Sequence, residues 1–432
     1  MGIELISVLL LAGLLFLLAC GVPMAFATGT LGVALAYLNF GIPGLGILMQ
    51  RIYSLTTEYV LVSVPMFILM ASLMERSGIA RDMYDALKVW TGRITGGVAV
   101  VTTVMAILMA AMSGIIGGEI VLLGLVALPQ MLRLGYNQNL AMGTICAGGS
   151  LGTMIPPSIV LIVYGLVAEV SISGLFVAAV IPGLMMGGLY IAYIMIRCRI
   201  DPSLAPRELD LAEMGLVERL RHSGGIVPPI LLATVVLGSI YGGVTSITEA
   251  AGMGVVGTLL IVALRRELTL AMFIEALTQT FRSVGTLLWV TFGASALIGA
   301  YSLAGGPAYA SQLITGLDVP PLAIIALMML VFLVLGMFMD WIGIVLLCMP
   351  VFVPIIKALG YDPIWFGVLF CINMQVSFLS PPFGPAAFYL KSVAPPHITL
   401  VDIYRSFGPF VGLQLVVLLL VLLFPGLALV LL

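Results

Sequence analysis

The sequence predicts an all-α integral membrane protein, built as an inverted repeat with two re-entrant helical hairpins and two interrupted helices. The 432 residues are 62% hydrophobic and only 8% charged, whereas a soluble domain carries about 25% charged residues. Long apolar segments recur along the chain, and its two halves share a proline pattern at a constant offset. The net charge of −2 does not favour a nucleic-acid partner, and the five cysteines lack metal or redox spacing.

Apolar segments of about 17–25 residues can cross a bilayer as one helix. The first segment, MGIELISVLLLAGLLFLLACG, resembles a secretory signal peptide, but it carries Glu4 where a basic region would stand. We therefore take it as the first span. Full spans are predicted at about residues 4–20, 22–40, 57–75, 138–168, 174–196, 226–241, 247–264, 284–303, 364–390 and 408–431.

Two further apolar regions, at about 98–132 and 322–356, are too long for one span. Each is interrupted midway by a polar, glycine-containing segment, SGIIGGE at 113–119 and MDWIG at 339–343. We expect each region to enter and leave the membrane on the same side, as hairpin one and hairpin two. Non-helical backbone is tolerated at membrane depth only where protein or water surrounds it, so the hairpin tips are expected to lie inside the protein.

The basic residues predict the orientation. With these spans, fifteen of the 17 lysines and arginines fall on one side, and only Arg51 and Lys357 fall on the other. Cytoplasmic loops carry the excess of basic residues. The 197–225 loop is therefore predicted to be cytoplasmic and both termini periplasmic. The loop is interpreted as a connector between halves, with a regulatory tail as the alternative.

An internal repeat appears when 225 is added to each residue number. LGY at 134–136 meets LGY at 359–361, Cys146 meets Cys371, and Tyr164 meets Tyr389. Pro156-Pro157 falls on Pro381-Pro382. We predict repeat one over 1–200, a cytoplasmic linker over 201–225 and repeat two over 226–432, with interrupted helices at about 138–168 and 364–390.

Each half holds five crossings and one hairpin, and an odd number of crossings turns the second copy upside down. Inverted repeats are a common plan of secondary transporters, whose substrates and ions bind near the midplane at interrupted helices. Transport is therefore the function that this architecture favours. Motifs of intramembrane enzymes, such as HExxH, are absent from the sequence.

The paired prolines are predicted to interrupt a helix at each copy. Proline suits the first turn of a new helix, whose free amides from Ser158 and Ile159 onward would face a carboxylate. The preceding carbonyls would suit Na⁺. Simple kinks are the alternative, and the occurrence of the pair in both copies argues against it.

Other polar and small residues flank the two interruptions. In the first copy, Gly148 and Gly149 allow close backbone approach. In the second copy, Asn373, Gln375 and Ser377 supply polar groups instead.

The hairpin tips carry the remaining candidates. A carboxylate at bilayer depth is costly, so Asp340 is interpreted as a Na⁺ ligand, with helix capping as the alternative. Glu119 begins the returning helix of hairpin one, where capping and ion binding are both open. Ser113 and Gly114 offer a hydroxyl and a carbonyl, and Ser113 is interpreted as a further Na⁺ ligand. For Glu249, in SITEAAG, we predict helix capping with Ser246 or Thr248.

The whole chain resembles the large membrane subunit of tripartite ATP-independent periplasmic (TRAP) transporters. The stretches that carry the resemblance are MSGIIGGEIVLLGLVALPQMLRLGY (112–136), AGGSLGTMIPPSIVLIVYG (147–165), YGGVTSITEAAG (241–252), GMFMDWIGIVLLCMPVFVPIIKALGYD (336–362) and SPPFGPAAFYL (380–390). They span both repeats.

The resemblance implies a bacterial or archaeal inner-membrane symporter for an organic acid, such as a C4-dicarboxylate, driven by Na⁺ without an enzymatic cofactor. It also implies a periplasmic substrate-binding protein, a small four-span membrane subunit and an elevator-type movement of the hairpins and interrupted helices. The ion and substrate site it implies comprises Ser113, Gly114, Gly148, Gly149, Pro156, Pro157, Asp340, Ser380, Pro381 and Pro382. No arginine inside a span is expected to pair with the substrate.

Two departures from the family pattern stand out. Ile115 and Ile116 follow Ser113-Gly114 where many members have a second small polar residue. Repeat one begins at residue 4, so the small subunit is expected to be a separate chain.

Two rival classes of transporter are weighed against this resemblance. One is a divalent-anion/Na⁺ symporter without a binding protein, whose Ser-Asn-Thr hairpin tips are absent here. The other is an ABC permease subunit, suggested by EAAG at 249–252.

Overall fold

The structure, a computed structural model, describes residues 2–91, 94–114, 117–206, 219, 223–316 and 319–432. Across these ranges the secondary structure is helical, without a β-strand. Eight helical segments there are long and apolar enough to cross a membrane, so the chain is a multi-pass membrane protein. They are Met24–Thr56, Tyr59–Arg76, Ile172–Ile200, Ser223–Tyr241, Ile247–Leu264, Leu270–Leu303, Trp341–Ala358 and Leu400–Leu423.

The first half of the chain forms nine helices within the described residues. They are α1 (Ile3–Ala19), α2 (Met24–Thr56), α3 (Ser63–Arg76), α4 (Ile79–Thr91), α5 (Gly97–Ser113), α6 (Gly118–Arg133), α7 (Gln138–Ser150), α8 (Ile159–Ala168) and α9 (Ile172–Ile200). Short 3-10 turns cover Tyr59–Val62, Leu151–Thr153 and Pro202–Leu204.

The second half contributes ten more, counted over the same described ranges. They are α10 (Val227–Tyr241), α11 (Ile247–Leu264), α12 (Leu270–Leu303), α13 (Gly306–Thr315), α14 (Pro321–Gly336), α15 (Trp341–Ala358), α16 (Pro363–Leu379), α17 (Pro385–Lys391), α18 (Leu400–Leu423) and α19 (Gly426–Leu429). A 3-10 turn, Ser223–Ile226, precedes α10.

The predicted helix interruptions are confirmed. Helix breaks separate α5 from α6 and α14 from α15, at the two predicted tips. Further breaks separate α7 from α8 and α16 from α17, around the two proline pairs. Re-entry of the hairpins from one side of the membrane, the inverted relation of the repeats and the orientation stay predictions. Most of the predicted linker, at 207–218 and 220–222, lies outside the described residues, as do Ile115 and Ile116.

Three spans differ from their predicted bounds because polar residues start or prolong helices. Helix α2 continues to Thr56 through a break at Gly41, whose φ of 65° is left-handed and is followed by Pro43. Helix α12 begins at Leu270, well before residue 284. Helix α18 begins at Leu400 because Thr399 and Asp402 form a capping box.

The helices pack in two groups. In the scaffold group, α2 and α3 pack against α11 and α12. In the hairpin group, α5 and α6 pack on α7, α14 packs on α16, and α18 packs on both α7 and α16. Helix α15 contacts α8 of its own group and α12 of the scaffold group, and α3 contacts α5 and α6, so the two groups meet along both hairpins.

Aromatic side chains fix hairpin two to the second interrupted helix. The ring of Phe332 on α14 lies 5.3 Å from that of Phe352 on α15, between centroids. It lies 5.8 Å from Phe366 and 5.1 Å from Phe370, both on α16. Such ring pairs contribute beyond the apolar area they bury, so the hairpin and the interrupted helix form one packed unit.

Candidate functional site

Both hairpin tips and both interrupted helices meet at one cavity of about 590 Å³. The lining residues that matter here come from α3, hairpin one, the first break, α12, hairpin two and the second interrupted helix. They are Ser72, Glu75 and Arg76; Gly114, Gly117 and Gly118; Thr153 and Ile159; Gln279 and Ser283; Asp340, Trp341 and Ile342; and Phe378 and Tyr389.

The tip of hairpin one is bonded to the first break. Gly114 ends α5 in a left-handed conformation, with φ of 60°. Its carbonyl oxygen accepts a hydrogen bond from the Ile159 amide at 3.2 Å. A methyl group at Gly114 would overlap the Pro157 carbonyl oxygen. The prediction that the Ile159 amide is free is therefore wrong, because the Gly114 carbonyl already occupies it.

The prolines precede the new helices instead of opening them. Helix α8 begins at Ile159 with Ser158 as its N-cap, and α17 begins at Pro385 with Gly384 as its N-cap. The predicted first-turn position of Pro156-Pro157 and Pro381-Pro382 is thus wrong, because one residue separates the first pair from its helix and two residues separate the second. Both Pro–Pro peptide bonds are cis.

Local side chains bond the backbone at the first break. The Ser158 hydroxyl donates to the Thr153 carbonyl oxygen at 2.6 Å and accepts from the Leu161 amide at 3.5 Å. Ser158 is fully buried. The capping serine thus bonds both sides of the interruption. The amides of Ile159 and Leu161 donate hydrogen bonds within the protein.

The second break is held from α18. The Tyr404 hydroxyl lies 3.1 Å from the Pro382 carbonyl oxygen and 3.2 Å from that of Phe383. The Ser380 hydroxyl donates to the Val376 carbonyl oxygen at 2.8 Å. The carbonyls of Pro382 and Phe383 are therefore tied to a neighbouring helix.

Asp340 stands at the tip of hairpin two as the N-cap residue of α15. Its side chain makes no cap hydrogen bond of standard geometry, although the amides of Trp341 and Ile342 interact with its carboxylate. Among the described residues it forms no salt bridge. A second cavity, of about 10 Å³, joins Asp340 to Ser377, Phe383 and Pro385. That is room for about one water-sized particle.

Ser113 and Glu119 are bonded across the tip of hairpin one. The Ser113 hydroxyl donates to Glu119 Oε1, and both residues are buried. Glu119 Oε2 has no hydrogen-bond partner in the described chain. Glu119 lies in the first turn of α6, whose N-cap is Gly117. Its carboxylate is thus oriented by Ser113.

The remaining predicted residues pack inside the hairpin group and line neither cavity, except Ser377. Gly148 and Gly149 lie against Ala106 and Ile120, the side chains of the two hairpin-one helices. Asn373 donates from Nδ2 to the Met329 carbonyl oxygen at 2.8 Å, which ties α16 to α14.

Sequence reasoning missed the contribution of α3 and α12 to the cavity. Glu75 and Arg76 end α3, and Arg76 forms an ion pair with Glu275 of α12 at 2.6 Å. Arg76 thus lines the cavity from the end of a span while paired with Glu275, and the expectation that no arginine inside a span pairs with the substrate stays a prediction. The sequence did contain a signal, since charged residues stand at the end of this span. They were interpreted only as markers of the membrane orientation. Tyr389, noted only as a repeat match, packs its ring against Gly117 of hairpin one.

The capping prediction at Ser246 is confirmed. Its hydroxyl accepts from the Glu249 amide at 3.3 Å, and Glu249 Oε2 accepts from the Ser246 amide at 2.7 Å. Both bonds together form a capping box at the start of α11. Glu249 is therefore structural and lies apart from the cavity.

Residues 11–427 match the family described as tripartite ATP-independent periplasmic transporter, DctM component. The chain is 31% identical over 399 residues to the C4-dicarboxylate TRAP transporter large permease protein DctM of Pseudomonas aeruginosa, covering 92% of each chain. It is 30% identical over 375 residues to the ectoine/5-hydroxyectoine TRAP transporter large permease protein UehC of Ruegeria pomeroyi, covering 85% of each.

A solved structure shares the fold. The Alcanivorax borkumensis YdaH transporter aligns with a TM-score of 0.61 at 16% identity, over 96% of this chain and 98% of that one. At this identity the likeness concerns the fold alone. The family match and the curated relatives, which are transporter permease subunits, show that this chain is a membrane transport protein and not an enzyme.

Proposed function

Because this chain belongs to the DctM component family of tripartite ATP-independent periplasmic transporters, we propose that it takes up an organic acid across the inner membrane, driven by Na⁺. Large permeases of this family work with a periplasmic binding protein and usually a small membrane subunit. The proposed substrate is a carboxylate, C4-dicarboxylate-like or related.

The observation that carries this proposal is the convergence of three helix starts on one cavity. Gly118, Ile159 and Trp341 begin α6, α8 and α15, and all three line the 590 Å³ cavity. Each helix start carries a positive partial charge of about half an elementary charge. A guanidinium, that of Arg76, lines the same cavity. Glu75 and Asp340 line this cavity too, so we propose that the helix starts and the guanidinium favour a carboxylate once a bound cation compensates these acidic groups.

Asp340 supports the coupling to Na⁺. Its carboxylate lines both the large cavity and the water-sized cavity beside Ser377. Na⁺ is a hard cation that prefers oxygen ligands, and a carboxylate with a hydroxyl meets that preference. We propose that Na⁺ binds here first, compensates Asp340 and thereby makes the cavity favourable for an anion.

The packing supports an elevator movement. The cavity lies where α3 and α12 of the scaffold group face the hairpin tips. The aromatic rings around Phe332 pack hairpin two and the second interrupted helix into one unit, and α18 packs on both interrupted helices. We propose that this unit moves as a body against the scaffold group and carries the site across the membrane.

The driving force is adequate for accumulation. Each Na⁺ that enters down 100 mV supplies about 2.3 kcal/mol, before any concentration gradient is added. A dianion carried with two Na⁺ is electroneutral, so voltage contributes only with a third ion or a monoanion.

Reconstitution in liposomes tests the proposal. The chain is reconstituted with its small subunit, and purified binding protein is added outside with radiolabelled succinate, then with a panel of other carboxylates. We expect uptake of at least one carboxylate that needs an inward Na⁺ gradient and the binding protein. Uptake that persists after the Na⁺ gradient is removed would contradict Na⁺ coupling, and uptake without binding protein would indicate a binding-protein-independent symporter.

A further inference from the structure

Two glutamate side chains from different helix groups lie near each other beside the tip of hairpin one. Glu75 lies in the last turn of α3, and its carboxylate packs so closely on Gly118 that a methyl group there would overlap it. Glu119 is the next residue of α6 and is fully buried. The two carboxylates interact electrostatically. Like charges in a medium of low dielectric repel strongly, so such a pair either holds a cation between its carboxylates or keeps a proton.

Two oxygen atoms at this pair have no hydrogen-bond partner among the described residues. Glu119 Oε2 is buried and has no hydrogen-bond partner in the described chain. The same holds for the Ser72 hydroxyl, one turn before Glu75 on α3. Residues three apart share a helix face, and Ser72, Glu75 and Gly118 line the same cavity. Buried polar groups in proteins are almost always bonded to protein or water, so these atoms are available to a ligand.

The charged side chains around this site are mostly negative. Arg76 acts electrostatically on Glu75, but its guanidinium is paired with Glu275 at 2.6 Å. One arginine therefore faces three carboxylates, those of Glu75, Glu119 and Glu275. Gln279 and Ser283 of α12, which line the same cavity, are neutral.

We infer that a monovalent cation of the Na⁺ class binds between Glu75 and Glu119, with the hydroxyl oxygens of Ser72 and Ser113 completing its oxygen shell. Ser113 donates its proton to Glu119 and keeps lone pairs for the cation. Carboxylate and hydroxyl oxygens are ligands that hard cations prefer. This site is separate from the one proposed at Asp340, which lies on the other hairpin.

The placement gives the cation a role in coupling, and this role rests on the proposed function. Glu75 and Ser72 belong to the scaffold group, whereas Glu119 and Ser113 belong to hairpin one. The complete oxygen shell exists only while α3 and the hairpin tip are in contact. Cation binding therefore stabilises this one position of the hairpin group, and release of the cation frees it to move.

Calorimetric Na⁺ titration of the purified complex with its small subunit, at constant ionic strength in choline chloride, tests the site. The variants are Glu75→Gln, Glu119→Gln and their combination, with Asp340→Asn in parallel. Glu4→Gln on α1 is the matched control for loss of one carboxylate. We expect the double variant to bind one Na⁺ fewer, or to bind it at least tenfold more weakly, while Glu4→Gln matches the wild type.

Two results would overturn the inference. One is unchanged Na⁺ stoichiometry and affinity, within twofold, in the Glu75→Gln and Glu119→Gln double variant. The other is that the double variant, compared with the wild type, loses the uptake of a proton and not the binding of Na⁺. If the double variant does not assemble, Glu75→Asp and Glu119→Asp keep both charges and are expected to retain Na⁺ binding with altered affinity.

The test separates this inference from the proposed function. A wild-type complex that binds no Na⁺ contradicts both. If Asp340→Asn loses Na⁺ binding and the glutamate variants keep it, only the site between Glu75 and Glu119 is contradicted.

Discussion

The backbone amide of Ile159 donates a hydrogen bond to the carbonyl oxygen of Gly114 across 3.2 Å. This bond joins the first residue of α8 to the residue that ends α5 at the tip of hairpin one, two points 45 residues apart in the sequence. It fixes the hairpin tip on the helix interruption, so that both face the same cavity. The site is thus assembled by contacts between breaks, and each break alone would leave polar backbone exposed to apolar surroundings.

Gly114→Ala should loosen this junction. A left-handed residue with a side chain costs about 1–2 kcal/mol, and the added methyl group would overlap the Pro157 carbonyl oxygen. We expect the complex to lose about 2 kcal/mol or more of stability and most of its uptake activity. Thermal unfolding of the complex measures the first effect. Gly46→Ala on α2, which meets no atom within 4 Å, is the control; equal melting temperatures for the two variants would refute the prediction.

Asp340→Asn should weaken the response of uptake to Na⁺ while leaving the fold intact. The substitution keeps the size and the capping position of residue 340 and removes the charge that we propose Na⁺ compensates. We expect the Na⁺ concentration for half-maximal uptake to rise at least tenfold. The measurement is liposome uptake against external Na⁺. Asp362→Asn, which caps α16 through its side-chain oxygen, should leave the Na⁺ response unchanged. An unaltered Na⁺ curve for Asp340→Asn would exclude this residue as the ligand.

Gly293→Ala should separate α2 from α12 in the scaffold group. A methyl group at Gly293 would overlap the Ala25 carbonyl oxygen, which is backbone and cannot move cheaply. We expect a loss of about 1–3 kcal/mol, as for overpacking in a core. Gly285→Ala on the same helix meets no atom within 4 Å and should gain up to about 1 kcal/mol from helix propensity. Melting temperatures of the two variants should therefore move in opposite directions.

Glu267→Gln should have a small effect that depends on pH. The Arg265 guanidinium, which donates to Glu267 at 3.0 Å, and the Gly78 amide lower the pKa of this carboxyl below its ordinary value of 4.5. A lowered pKa stabilises the folded state above the unfolded pKa, and this contribution is lost as the pH falls through the folded value. The side chain is one-third exposed, so we expect a cost of at most about 1 kcal/mol at pH 7.

Melting temperatures at pH 7 and near pH 4 check the Glu267 prediction. The difference between wild type and Glu267→Gln should shrink toward the acid end. A difference that grows at low pH would show that the pairing with Arg265 is not its source.

Much of the fold could be predicted from local patterns. The helix breaks after Ser113 and before Trp341 follow from polar and glycine residues inside apolar runs, and the structure confirms them. The capping box of Ser246 and Glu249 is a signal contained in four consecutive residues. These features depend on neighbours in the sequence, so the sequence suffices to find them.

The partners of the site residues could not be predicted in this way. Glu75 and Gly118 are brought together by the packing of α3 on α6, and Arg76 pairs with a residue 199 positions away. Gly148 and Asn373 appeared to be site residues because they flank the breaks, yet both pack inside the hairpin group. Which face of a fully apolar helix meets the cavity is a property of packing, since such helices carry no polar stripe.

By itself, the sequence determined that this chain lies in a membrane, where its helices are interrupted and which carboxylates stand at the tips. Composition and the energetic cost of buried backbone are local or additive, so they can be calculated along the chain. The tertiary structure alone decided that Gly118, Ile159 and Trp341 face one cavity, that the Ile159 amide is occupied, and that Glu75 lies near Glu119. Those relationships join residues far apart in the chain, and only the packing of helices brings their charges and dipoles within interacting distance.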